Sequence, residues 1–150
     1  MQAKFAAAAA ALLLAGGTLA VIDTVEAAPA AQATHRVRMI MEGESGGRFE
    51  PANLTIRAGD VVQFVNVSGG PHNISFDPAT IPDDVERVLA AAMPNQIEPL
   101  WGALVTQPNA TYSISFTGVK AGRYEYFCVP HMYDRSGAAT RGMKGVITVQ

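Results

Sequence analysis

Residues 122–149 read GRYEYFCVPHMYDRSGAATRGMKGVITV, and the parity of this stretch decides the fold. Tyr124, Tyr126 and Cys128 fall on one side of a period-two pattern, with Arg123, Glu125 and Phe127 on the other. Such alternation marks a strand with one buried face, so Cys128 points inward with the two tyrosines. Pro130 then ends the strand, because proline has no amide to give to a ladder. His131 therefore sits on the loop just past the strand end, close to Cys128. A closing strand, Gly145 to Val149, completes the stretch.

Working outward, the rest of the chain repeats the period. Val37, Met39 and Met41 alternate with Arg36, Arg38 and Ile40; Leu54 and Ile56 oppose Thr55 and Arg57; Tyr112, Ile114 and Phe116 oppose Ser113, Ser115 and Thr117. Turns at Ala58–Asp60 and Lys120–Gly122 separate short runs, including the apolar run Val61 to Val67. Short strands divided by Gly and Asp turns predict an all-β, Greek-key β-sandwich. One segment departs. Asp83 to Met93 places Val85, Val88, Leu89 and Ala92 at helical spacing, with Asp83, Asp84 and Glu86 in the first turn and Pro82 and Pro94 at its borders. Acidic residues suit the positive end of a helix dipole, so one short amphipathic helix is expected there.

The first 33 residues read differently from the remainder. A basic residue, Lys4, precedes an Ala/Leu run, and AQA (31–33) or VEA (25–27) offers a small-residue cleavage site. That is the pattern of a secretory signal. The apolar stretch Phe5 to Ile22 is about long enough to span a bilayer, but it is rich in Ala and Gly rather than Leu and Ile. The expectation is a signal peptide over 1–33 and one domain over 34–150, exported to a periplasm or secreted, with no membrane insertion after cleavage. Of 11 Lys and Arg and 13 Asp and Glu, ten and eleven remain once Lys4, Asp23 and Glu26 are set aside. That balance excludes a basic nucleic-acid surface and a polybasic membrane patch.

An exported chain with 1 cysteine cannot form an internal disulfide. Cys128 is then an intermolecular link, a buried small hydrophobe or a metal ligand. The neighbouring donors favour the last. Candidate metal ligands are Cys128, His131, Met143 and His72, the last following an SGGP turn at the end of the Val61–Val67 strand. A thiolate, two imidazoles and a weak thioether form the donor set of a blue-copper site, whereas zinc usually takes four strong ligands. His35 reads as a surface or packing residue, and Met39, Met41 and Met93 read as core or helix packing. Three histidines cannot supply the further copper sites of an oxidase or nitrite reductase. No Ser-His-Asp set, paired carboxylates or phosphate loop stands out, so no enzyme activity is expected.

Three segments together carry a resemblance: GDVVQFVNVSGGPHNISFD (59–77), GRYEYFCVPH (122–131) and GMKGVITV (142–149). In this order, around a single cysteine, the chain resembles the plastocyanin-like cupredoxins over nearly all of residues 34–150. The resemblance implies an eight-stranded Greek-key sandwich that shuttles one electron between a donor and an acceptor redox protein, acting as a monomer. It implies one type 1 copper ion, with His72 and His131 as imidazole ligands, Cys128 as thiolate and Met143 as axial thioether. It also implies that Asn73 ties the ligand loops by hydrogen bonds. Two departures stand out. Eleven residues separate His131 from Met143, longer than the family's usual loop, which leaves Met132 as a second axial candidate. Phe127 occupies a position where photosynthetic plastocyanins often carry tyrosine. The exposed edge of His131, flanked by the inserted loop with Asp134, Arg135 and Arg141, is the expected electron port. A copper-trafficking protein using the same ligands and a metal-free structural module are the competing readings.

Overall fold

The computed structural model describes residues 31–43, 46–133, 136–137 and 142–150. Residues 1–30 of the expected signal segment and the loop residues Asp134, Arg135 and Arg141 lie outside the described residues. Eight strands form: β1 Thr34–Glu42, β2 Gly46–Glu50, β3 Asn53–Ile56, β4 Val61–Asn66, β5 Ser75–Phe76, β6 Thr111–Ser115, β7 Gly122–Phe127 and β8 Lys144–Val149. They make two four-stranded sheets, ordered β2-β1-β4-β6 and β3-β8-β7-β5. The chain crosses from one sheet to the other between β2 and β3, and again between β3 and β4. As a result β1 pairs parallel with β4, and β3 parallel with β8, while the remaining pairs are antiparallel.

The period-two residues fill the space between the sheets. Val37 and Met39 of β1, Val62 and Phe64 of β4, Tyr112 and Ile114 of β6, Tyr124 and Tyr126 of β7, and Ile147 and Val149 of β8 are all buried. Burial of each such side chain contributes roughly 1.5–3 kcal/mol. At the centre, Tyr126 meets Phe49 at 4.6 Å, Phe64 at 5.4 Å and Phe76 at 6.5 Å between ring centroids. Its hydroxyl donates to the Ala52 carbonyl, so the buried ring is not left with an unpaired polar tip.

Helix α1 spans Asp83–Ala92 and turns Val85 and Leu89 inward. Its first turn carries Asp83, Asp84 and Glu86, as the sequence indicated, and its N-cap Pro82 makes no side-chain capping bond. Asp84 also pairs with Lys120, so these acids serve the helix start and its attachment to the turn before β7. Among the described residues no helix is long and apolar enough to cross a membrane.

Candidate metal centre

Three loops meet at one pole of the sandwich. The first leaves β4 at Asn66. Its buried carboxamide donates to the Gly70 and Val105 carbonyls, both at 2.8 Å, and accepts from the Gly69 amide at 2.9 Å. This single side chain shapes the Ser68–Pro71 turn. His72 then bridges to Val105 through reciprocal backbone bonds of 3.1 and 2.7 Å. The second loop is the short 3-10 turn Val129–His131 at the end of β7, where the His131 amide donates to the Cys128 carbonyl. The third returns at Met143, whose carbonyl accepts from the Cys128 amide at 2.9 Å.

Asn73 joins the first two loops. Its Oδ1 accepts from the Val129 amide at 2.9 Å, and its Nδ2 donates to Ser75 Oγ at 3.1 Å and to the Gly102 carbonyl at 3.3 Å. Its own amide donates to Cys128 Sγ at 3.4 Å. The hydrogen-bonding role expected of Asn73 is therefore met in full.

Within this frame Cys128 Sγ lies 3.8 Å from His72 Nδ1 and 3.1 Å from His131 Nδ1. One donor atom from each of the three residues lies within 4.8 Å of the others, and all three residues are buried. Metal–nitrogen and metal–sulfur bonds of roughly 2.0–2.3 Å make both separations reachable by donors sharing one ion. The imidazole rings lie 4.8 Å apart, tilted by 32°. Met143 is buried, and its sulfur shares a small space with His131: a Cβ on Gly47 would lie 2.9 Å from Met143 Sδ and 3.3 Å from His131 Cγ. Glycine at position 47 is what lets the two approach. Met132 is half-buried and lines a separate surface cavity of about 420 Å³ with Phe127, Glu125, Asp77 and Lys144.

The electrostatics suit a soft cation. Burial lowers His72 to about 4, with His131 adding to the effect, and burial also lowers His131. Both imidazoles are thus neutral at neutral pH, the form that coordinates metal. Burial pushes the Cys128 thiol to about 11, against the opposing hydrogen bonds from Asn73 and His131. Without a cation the sulfur keeps its proton, whereas a coordinated thiol loses it outright. Metal capture here releases a proton. The Nε2 of His72 is buried without a hydrogen-bond partner among the described residues, which leaves Nδ1 as the atom through which this ring interacts. The donors present fit a copper ion.

Two findings differ from the sequence reading. His131 is only 3 % exposed rather than presenting an open edge, and Met41 Sδ lies 3.1 Å from its Nε2. Met41 is accordingly more than core or helix packing, while Met39 and Met93 are core residues. Asn66, Gly47 and Met41 were missed by sequence reasoning. An asparagine closing a strand ahead of a Gly-Gly turn was the available signal for Asn66. His35, expected to lie apart from metal, sits at the far end of β4, 2.8 Å from Asp60 Oδ2.

Comparison with known proteins accords with this geometry. Residues 35–150 match the sequence profile of copper binding proteins, plastocyanin/azurin family. The chain is 41 % identical over 102 residues to plastocyanin of Scenedesmus fuscus, spanning 68 % of this chain and 86 % of that protein. It is 38 % identical over 120 residues to the chloroplastic plastocyanin of Chlamydomonas reinhardtii, spanning 79 % and 70 %. Oxidised plastocyanin of the fern Dryopteris crassirhizoma superimposes with a TM-score of 0.55 at 28 % identity, covering 77 % of this chain and all of that one. A two-sheet sandwich, a buried Cys-His-His cluster and a profile match over the whole described domain place this chain in the plastocyanin/azurin family of copper-binding proteins.

Proposed function

We propose that this chain carries single electrons through one type 1 copper ion held by His72, Cys128, His131 and Met143. Family and relatives support a blue copper electron carrier with one copper ion, and favour it over copper trafficking. The observation that carries the ligand assignment is the convergence of Cys128 Sγ with His72 Nδ1 and His131 Nδ1 inside a buried pole. Of the two methionines that could supply a thioether donor, Met143 shares its space with His131, whereas Met132 lines a different cavity.

When bound, copper supplies a one-electron couple whose two states both tolerate this mixed soft and nitrogen donor set. The protein's part is to keep the donors still. Asn73 fixes Val129 and Cys128 relative to His72, the Met143 carbonyl holds the Cys128 amide, and Asn66 holds the turn before His72. Donors locked by such bonds change position little when charge changes, which favours fast transfer. The reading includes no enzyme activity. The partners are a redox donor and an acceptor protein, and the protein works as a monomer in a compartment reached by export, with residues 1–33 as the signal. The Ala/Leu run and the A-x-A site support export.

The test is the visible absorption and electron spin resonance spectrum of the Cu(II)-loaded protein. An intense thiolate-to-copper band with narrow hyperfine splitting is expected, and Cys128→Ser should abolish it. Met143→Leu should move the band and the reduction potential, while Met132→Leu should leave both in place. A pale spectrum with wide splitting in the unaltered protein would overturn the assignment.

A further inference from the structure

The His131 ring stands between two sulfurs. Its Nδ1 faces Cys128 Sγ at 3.1 Å, and its opposite nitrogen, Nε2, faces Met41 Sδ at 3.1 Å. Met41 comes from β1, outside all three motif segments that carry the ligand candidates. Its seat is built from glycine on two sides. Across the β1–β2 pair it faces Gly47, where a side chain would strike Met143 Sδ and His131. A Cβ on Gly70 would lie 2.6 Å from Met41 Sδ. The backbone is anchored as well, since the Met41 amide donates to Ser68 Oγ at 2.8 Å. Met41 itself is half-buried, with His131 beneath it 3 % exposed.

We propose that Met41 is the positioning and outlet residue of the redox centre, its thioether accepting the Nε2–H of His131 and covering the ring at the surface. This rests on the reading of His131 as a copper ligand through Nδ1. With Nδ1 engaged, Nε2 bears the ring proton, and a thioether is a weak acceptor for it. The contact fixes the ring's rotation, so Nδ1 stays aimed at the Cys128 side. It also keeps water from the imidazole, and a low-dielectric surround favours the less charged, reduced state of the centre. A partner docked on Met41 would be one side chain away from His131. With copper bound, one electron would pass from the reduced centre through His131 and Met41 to an oxidised partner, and no proton would move.

The experiment compares the unaltered protein with Met41→Ala and Met41→Leu. By nitrogen-15 NMR, the His131 Nε2–H should exchange with water about tenfold faster in Met41→Ala, the equivalent of one ordinary net hydrogen bond. It should exchange much less fast in Met41→Leu, which keeps the cover and loses only the sulfur. The reduction potential of the copper-loaded protein should fall in Met41→Ala as water reaches the ring, and stay closer to the original in Met41→Leu. Unchanged exchange and potential in Met41→Ala would overturn the proposal. Should neither variant fold, exchange in the unaltered protein decides: slow exchange supports the cover, and exchange at the rate of free imidazole refutes it. The exchange measurement is made on copper-free as well as Cu(I) protein. Loss of the blue spectrum with slow exchange would therefore reject the copper reading while leaving the cover in place.

Discussion

The two ends of β4 each hold a histidine beside a polar partner, and the sandwich treats them in opposite ways. At the Asn66 end, His72 faces a thiol and a second imidazole, all buried, and burial drives His72 down to about 4. At the Val61 end, His35 is partly exposed and faces Asp60, whose carboxylate is held down at about 2 in the full chain, chiefly by His35, then by the amide of Ala33, the last residue of the proposed signal, and by that of Arg57. One pole therefore excludes charge until a cation arrives. The other keeps a permanent anion and spends it on tying the start of β1 to the turn before β4. The same side chain is a neutral donor candidate at one pole and a staple at the other, according to whether its partner already carries a charge.

Breaking the first pole's frame should have the largest effect. Asn73→Ala removes bonds to Val129, Ser75 and Gly102 at once, leaving buried groups unpaired at about 1–3 kcal/mol each. A loss of about 3 kcal/mol in urea unfolding is expected, together with a broadened or weakened blue band. A variant as stable as the parent would show that the loops hold themselves.

The copper-free protein sharpens the contrast through pH. Between about 4 and the usual 6.5, unfolded His72 takes a proton that folded His72 refuses, so stability is full above 6.5 and falls as pH drops toward 4. His131, lowered in the same direction, adds to the slope. Cys128 acts at the other limit. Its thiol is raised from 9 to about 11, so stability holds below pH 9 and falls as pH rises toward 11. Urea midpoints of copper-free protein across this range should trace a plateau with two shoulders, and His72→Gln should flatten the acid one.

The smallest effect belongs to the second pole. Asp60→Asn should lower stability modestly at neutral pH and leave the copper spectrum unchanged. Because the carboxylate is depressed from 3.8 to about 2, its contribution is present above 3.8 and disappears as pH falls through 2. Variant and parent should thus converge in acid. A spectral change in Asp60→Asn would mean that the two poles communicate.

Much of this was legible in the chain. Tyr124, Tyr126 and Cys128 announced an inward face by parity, and the buried face of β7 follows it. The Asp83–Met93 helix was visible because acids, prolines and apolar spacing agree locally. The ligand candidates could be named because Cys and His are rare here. What sequence hid were contacts set by register between distant strands. Met41 shares its parity with Val37 and Met39, so nothing local separates a core methionine from one resting on His131. That difference comes from β1 running past the core edge beside Gly47 and Gly70, two positions whose lack of a side chain matters only in three dimensions. The covered edge of His131 was misjudged for the same reason.

The parallel pairing of β3 with β8 also orders events in time. Asn53 waits for Val146, and β1 waits for β4, so the sheets depend on partners far apart along the chain. Such topologies fold slowly, since loop closure must be met before distant pairing rewards it. His72, Cys128, His131 and Met143 all lie beyond the chain's first seventy residues, and the last of them precedes the closing strand. The proposed donors therefore converge only once β8 has joined β3 and β7, and capture of an ion at this pole waits on that late pairing.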